Sequence, residues 1–222
     1  MTKTDKIGII GALSVEVDGL VHEMSNVRTT EIGGSTFYEG TLCDAKAVVV
    51  KCGVGKVNAA FVTSTLALVF GVGGIVMTGV CGGIGVKPMS AVVPSSFIQH
   101  DVDIDGLPRG HLDVLDRVEI EADEMLSEIL AEVSDGVRTV MATGEQFIRS
   151  KEQIDRILTD FPSVGAVDME SAASAHICAR LGVPFACIKT VSDGCSADEF
   201  YDFVTEASKK SVAAVLGLLK RL

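Results

Sequence analysis

Short apolar runs closed by glycine or by a polar residue alternate along this chain with stretches of helical spacing. Residues 6–11 read as a first strand, and 36–42 with 47–52 as a hairpin around Cys43-Asp44-Ala45-Lys46. A helix over 57–70 precedes strands over 75–80 and 91–99, a helix over 123–133 and a strand over 139–143. A helix over 151–160 stops ahead of Pro162, a strand over 166–168 follows, and a helix over 171–181 ends on Gly182. Residues 185–191 form another strand. The last helix starts near Ala197-Asp198 and gathers Phe200, Phe203, Val204, Ala207 and Val215 on one stripe. Helices alternating with strands predict a layered α/β fold, with residues 1–222 as one domain.

The segment between Lys56 and Lys87 carries no charge. Gly71-Val72-Gly73-Gly74 breaks it, and Asn58, Thr63, Ser64 and Thr65 interrupt it with polar groups, so it reads as a buried helix, a turn and a buried strand rather than a membrane span. The helix is apolar or small on every face. It must be covered by the sheet and by another helix or subunit, which predicts a homodimer with this region at or near its interface.

Of the 222 residues, 47% are hydrophobic, enough for a sizeable core. A formal net charge of -11 argues against nucleic-acid partners, which need clustered Lys and Arg. Without tryptophan there is also little to build a stacking platform for single strands. The six cysteines, Cys43, Cys52, Cys81, Cys178, Cys187 and Cys195, show no C-x-x-C pair and no zinc spacing, and read as reduced core thiols. The polar opening, residues 1–6, lacks the pattern of a secretory signal, which predicts a cytoplasmic protein.

The candidate chemistry lies at two strand ends. Val167-Asp168-Met169-Glu170-Ser171-Ala172 and Lys189-Thr190-Val191-Ser192-Asp193-Gly194 each run an apolar strand into acidic residues. Ligands of open α/β sheets bind outside the carboxyl ends of strands, so Asp168, Glu170 and Asp193 are candidates for one crevice; the plain alternative is helix capping. Three glycine clusters invite a cofactor reading. Gly8-Ile9-Ile10-Gly11 lacks the dinucleotide spacing, and Gly53-Val54-Gly55-Lys56 is only half of a P-loop. The cluster from Gly79 to Gly85 either lets the chain approach a ligand or makes a structural turn. No cofactor and no metal is expected.

Taken in order, these pieces resemble a family. Residues 6–12 with Glu16, Gly53-Val54-Gly55-Lys56-Val57-Asn58-Ala59-Ala60, Thr78-Gly79 with Gly82-Gly83, Gly144-Glu145-Gln146-Phe147-Ile148, Val167-Asp168-Met169-Glu170 and Ser192-Asp193 look like the 5′-methylthioadenosine/S-adenosylhomocysteine nucleosidases of the purine nucleoside phosphorylase superfamily. The resemblance implies a three-layer α/β/α sandwich around a central mixed twisted sheet, usually a homodimer, that cleaves the N-glycosidic bond of adenine nucleosides with water. It makes Asp193 the acid that protonates the adenine, with Ser192 orienting it, and Glu16, on the turn after the first strand, the group that activates water. Glu170 and the Met169 backbone would hold the ribose, Phe147 would stack on the base, and the Ile148 backbone would read its edge. Leu13, Val54, Val80, Gly82 and Lys189 are counted with the substrate-binding residues. For Phe147 and Ile148 the bland alternative is core packing.

This division of labour suits the chemistry, because a departing purine needs an acid and the incoming water needs a base. Two positions depart from the family pattern: Val80 stands where a serine is expected, and Lys189 where many members have arginine. The segment between Asp193 and Phe200 is also shorter than expected. Phosphorolysis would require cations for a phosphate dianion, and the glycine clusters hold no arginine while the early turn offers Glu16. Hydrolysis of methylthioadenosine or adenosylhomocysteine is therefore the leading expectation. The alternatives are a nucleosidase for AMP or a futalosine-type compound, a phosphorylase, a silent nucleoside-binding protein, and an NAD-dependent oxidoreductase.

Overall fold

The computed structural model describes residues 6–193 and 197–222, with 193 and 197–202 described by backbone alone. Strand β1 (Ile7–Gly11) leads into helix α1 (Ser14–Glu23), followed by the meander β2 (Ser25–Ile32), β3 (Ser35–Leu42) and β4 (Ala45–Lys51). Helix α2 (Lys56–Leu68) connects to β5 (Gly74–Gly83), then β6 (Ala91–Gln99), β7 (Glu119–Glu121) and α3 (Glu124–Ser134). The remainder alternates: β8 (Val137–Thr143), α4 (Lys151–Asp160), β9 (Val164–Asp168), α5 (Ser171–Leu181), β10 (Phe185–Asp193) and α6 (Ala197–Arg221).

All strands join one mixed sheet, ordered β10-β6-β8-β9-β5-β1-β4-β3-β2 with β7 on β6. Because β10 also pairs in parallel with β5, the strands β5, β10, β6, β8 and β9 close into a ring, and β1 to β4 run off it as an open wing. The two faces alternate residue by residue. Ile10, Val48, Val50, Ile75 and Met77 pack with Ala59, Val62 and Leu66 of α2 and with α5, while Ile7, Ile9, Ala47, Val49 and Val76 pack with α1, α3 and α6. This is the three-layer α/β/α arrangement, and it follows from strands buried on both faces.

Helix ends are set locally. The Asp123 carboxylate accepts from Leu126 N at 3.0 Å to start α3, and Gly182, at φ 67°, closes α5. Three elements were not anticipated by the residue pattern, namely α1, β2 and β7, and β5 runs on through Gly83, where its glycines suggested a turn. Helix α2 packs on β1 and α5 and leaves Val57 78% exposed and Leu68 71%. On α6 the expected stripe holds at Ala207 and Val215, but Phe203 is exposed, and the Phe200 side chain lies outside the described residues. Cysteines 52, 178 and 187 are buried free thiols, Cys81 is buried, Cys43 is half-buried rather than core, and Cys195 lies outside the described residues. Among the described residues no helix is long and apolar enough to cross a membrane.

Candidate active site

A cavity of about 300 Å³ opens at the carboxyl ends of β1, β5, β9 and β10, where the sheet places its strand-end residues together. Leu13, Glu16, Val54, Val80, Gly82, Phe147, Ile148, Met169, Glu170 and Ser192 all line it. Residues of the same wall that the sequence reading did not assign to substrate are Gln146 and Arg149, with Ala12, Cys81 and Val167. Asp193 ends β10 opposite Gly82 of β5, so its backbone reaches this wall, and its side chain lies outside the described residues.

Glu16 sits in the first turn of α1, not on a free turn, and is 1% exposed. One carboxylate oxygen accepts from Ala12 N at 2.6 Å and Leu13 N at 2.9 Å, and the other accepts from Val80 N at 3.1 Å. An acidic residue three positions into the helix reaches back to the N-cap backbone N–H, here that of Leu13, as in a capping box. Gly79 makes the approach possible. A Cβ there would lie 2.4 Å from Glu16 Oε1, and the residue has φ 145°. The glycine cluster thus makes room for a carboxylate of this chain. A carboxylate has about four lone-pair positions, so three fixed donors lock the rotamer and leave about one for a further ligand.

The second acidic group is built differently. Glu170 precedes α5 and accepts from Gly55 N at 3.0 Å, so the half P-loop at Gly53-Val54-Gly55 delivers its N–H to a carboxylate rather than to a phosphate. The other Glu170 oxygen lies 3.5 Å from Lys189 Nζ, and the same ammonium is 3.5 Å from Asp168 Oδ2. Burial pushes the Glu170 carboxyl up to about 7; Lys189 opposes the rise and Asp168 adds to it. Burial would pull the Lys189 ammonium down, yet Asp168 and Glu170 outweigh it and hold the group well above its usual value.

The sequence reading counted Lys189 with the substrate contacts. The residue is 1% exposed, does not line the cavity, and is tied beneath the floor to two carboxylates. Asp168 unites both readings offered for it, since it lines the cavity and also caps α5, accepting from Ser171 N at 3.1 Å and from the Thr143 hydroxyl at 2.5 Å. Ser192 Oγ donates to the Cys81 carbonyl at 3.4 Å. Phe147 is 39% exposed on the cavity wall, which argues against simple core packing. Ile148 is buried with Val140, Ile157 and Phe161, so its side chain does pack in a core, and the residue also lines the cavity. Among the described residues no group of His, Cys, Asp and Glu side chains could hold a metal ion.

The fold and cavity have counterparts in known proteins. The family model for the phosphorylase superfamily matches residues 6–220. A 5′-methylthioadenosine/S-adenosylhomocysteine nucleosidase of Exiguobacterium sp. is 36% identical over 232 residues, covering 98% of each chain. The crystal structure of such a nucleosidase from Colwellia psychrerythraea in complex with adenine overlays with a TM-score of 0.94 at 32% identity, covering 99% of this chain and 96% of that one. Futalosine hydrolase of Helicobacter pylori overlays with a TM-score of 0.93 at 27% identity, covering 99% of each chain.

Proposed function

From its membership in the phosphorylase superfamily, and within it in the 5′-methylthioadenosine/S-adenosylhomocysteine nucleosidase family, we propose that this chain hydrolyses the N-glycosidic bond of methylthioadenosine, adenosylhomocysteine or both, releasing adenine. The carrying observation is the charge of the cavity wall. Glu16, Asp168 and Glu170 face Arg149 as the one cation among its described residues, because Lys189 is committed below the floor. With Asp168 and Glu170 paired to Lys189, a phosphate dianion would meet the Glu16 carboxylate and a single cation, Arg149, which supports water as the nucleophile.

Glu16 takes a proton from that water with its remaining lone pair, held in place by three backbone donors. Glu170 receives the ribose hydroxyls beside the Met169 backbone, and its negative charge stabilises the positive sugar as the bond breaks. Asp193 protonates the departing purine, with Ser192 beside it. Phe147 stacks on the base and the Ile148 backbone reads its edge. Leu13, Val54, Val80 and Gly82 shape the walls around the sugar and its 5′ group. No cofactor enters the scheme.

The test is release of the purine base, adenine from methylthioadenosine, adenosylhomocysteine, adenosine and AMP and hypoxanthine from inosine, with and without phosphate. Release from the first two, unchanged by phosphate, is expected; no adenine from any adenine nucleoside would sink the reading. A futalosine-type nucleoside is the second substrate class, favoured by the overlay on futalosine hydrolase, and belongs in the same panel. The exposed apolar residues Val57 and Leu68 of α2, with Val69 just past its end, support a homodimer through this helix, to be checked by sedimentation at micromolar concentration. The family match over residues 6–220 supports reading 1–222 as one domain, and the absence of nucleic-acid and membrane partners and a cytoplasmic location complete the proposal.

A further inference from the structure

The N-terminus of α2 grips two separate segments with successive donors. Gly55 N donates to Glu170 Oε1 at 3.0 Å, and Lys56 N donates to Glu145 Oε1 at 2.8 Å. The helix has no side-chain cap of its own, so foreign carboxylates satisfy these N–H groups. Glu145 belongs to the segment between β8 and α4 that brings Phe147, Ile148 and Arg149 to the cavity wall.

That segment is fixed a second time. Glu145 N donates to Asp101 Oδ2 at 2.9 Å, and Asp101 Oδ1 pairs with Lys56 Nζ at 2.6 Å. Lys56 Nζ also donates to Gln99 Oε1 at 3.2 Å. Lys56, Asp101 and Glu145 therefore form a closed ring of charge-assisted hydrogen bonds, none of whose members lines the cavity. Partial burial pushes the Asp101 carboxyl up, but the hydrogen bonds from Lys56 and Glu145 N outweigh it and hold the group below its usual range. Gly55 admits the ring, since its φ is 105° and a Cβ there would lie 2.7 Å from Glu145 Oε2.

From this ring we infer that Asp101 is a positioning residue for substrate: it holds residues 144–149 against α2, so that Phe147 and Ile148 meet the base at a fixed distance from the Glu170 carboxylate. The ligand in this inference rests on the nucleosidase reading, whereas the ring itself does not.

The experiment compares Asp101→Ala, Asp101→Asn, Glu145→Ala and the double Asp101→Ala/Glu145→Ala with unmodified protein. In Asp101→Ala, KM for methylthioadenosine rises about tenfold while kcat stays within about threefold, because misplacement of a binding wall weakens substrate seating more than proton transfer. Asp101→Asn keeps an oxygen for Glu145 N but loses the charge, and falls between. The double variant costs less than the product of the singles, since both act through one segment. Hydrogen exchange rises at 144–149 and stays unchanged in the central strands. A purely structural role would instead lower the folded fraction, with KM unchanged and exchange faster throughout, and that result overturns the inference. Unchanged exchange at 144–149 in Asp101→Ala overturns it as well. If unmodified protein releases no adenine, the nucleosidase reading falls, and the exchange data alone decide whether Asp101 holds the segment.

Discussion

Glu16 and Glu170 share one cavity but are supported in opposite ways. Glu16 meets three backbone N–H groups, from residues 12, 13 and 80. Glu170 meets one N–H and a buried ammonium that it shares with Asp168. Fixed dipoles lock the orientation of a carboxylate, which suits the role proposed for Glu16, that of meeting water in one geometry. A lysine with two acidic partners instead keeps a pair of buried charges compensated, which suits a group whose negative charge is needed beside a positive sugar. The difference between backbone and side-chain support is what the following variants probe.

The largest effect is expected at the backbone-held group. Glu16→Gln keeps the volume but sets an amide NH₂ against N–H donors and removes the proton acceptor, so turnover should fall by about 100-fold to 10,000-fold. Asp193→Asn should fall on the same scale if it supplies the proton to the base. Adenine release measures both, with circular dichroism to verify the fold. A loss below about tenfold from either change would remove that residue from its role.

Removing the side-chain support should damage stability as much as rate. Lys189→Met leaves Asp168 and Glu170 buried without their cation, and breaking a buried pair from one side costs about 3–5 kcal/mol. A large drop in the denaturation midpoint is expected, whereas Glu16→Gln should shift it much less. Equal midpoints for Lys189→Met and unmodified protein would mean that water or a rearranged side chain already screens the two carboxylates.

The contrast also predicts opposite pH trends for stability and rate. The Glu170 pKa is raised from 4.5 in the free group to about 7, so the folded state binds the proton more tightly than the unfolded chain does. Its contribution to stability is fully present below about 4.5 and is lost as pH rises through about 7. Turnover should move the other way, rising as Glu170 ionises near 7. A thermal-melt series and a kcat/KM profile over pH 5 to 8 would show both. In Glu170→Gln the stability slope over this window should flatten, and an unchanged slope would assign it to another group.

The acidic residues in this contrast could be read from the sequence, whereas their supports could not, and the gap has physical causes. Asp168, Glu170, Ser192 and Asp193 were visible because apolar strands run directly into them. The helix α1 was hidden because Ser14–Glu23 contains Gly19 and three β-branched valines, so local propensity did not announce it. Strand β2 is exposed along almost its whole length and has no apolar face to betray it. Arg149 was missed for a different reason: it lies just past Phe147-Ile148 on a connecting segment, and only the fold brings that segment to the cavity wall. The place of Lys189 was legible but its partners were not. A strand pattern tells which face a residue occupies, and nothing in it told that the lysine would be sealed below the floor between two carboxylates.

The smallest effect, and the sharpest test of the comparison, is Lys189→Arg. Many relatives were expected to carry arginine at this position, so restoring it should help if the cation acts on water or substrate directly. Here the ammonium is buried, 3.5 Å from one oxygen of each partner, and absent from the cavity wall. A guanidinium is larger and planar, and its fixed fork must either displace Asp168 from the Ser171 N–H or push Glu170 off Gly55 N. Either shift moves Glu170, the carboxylate proposed to bind the sugar, without touching Glu16. The expected outcome is a fall in kcat/KM for methylthioadenosine of less than about tenfold, expressed mainly in KM, while the pH rise near 7 persists because the charge is kept. A substantial increase in kcat/KM would show that the cation works at the cavity itself, and the division between a backbone-held base and a lysine-held sugar carboxylate would then have to be redrawn.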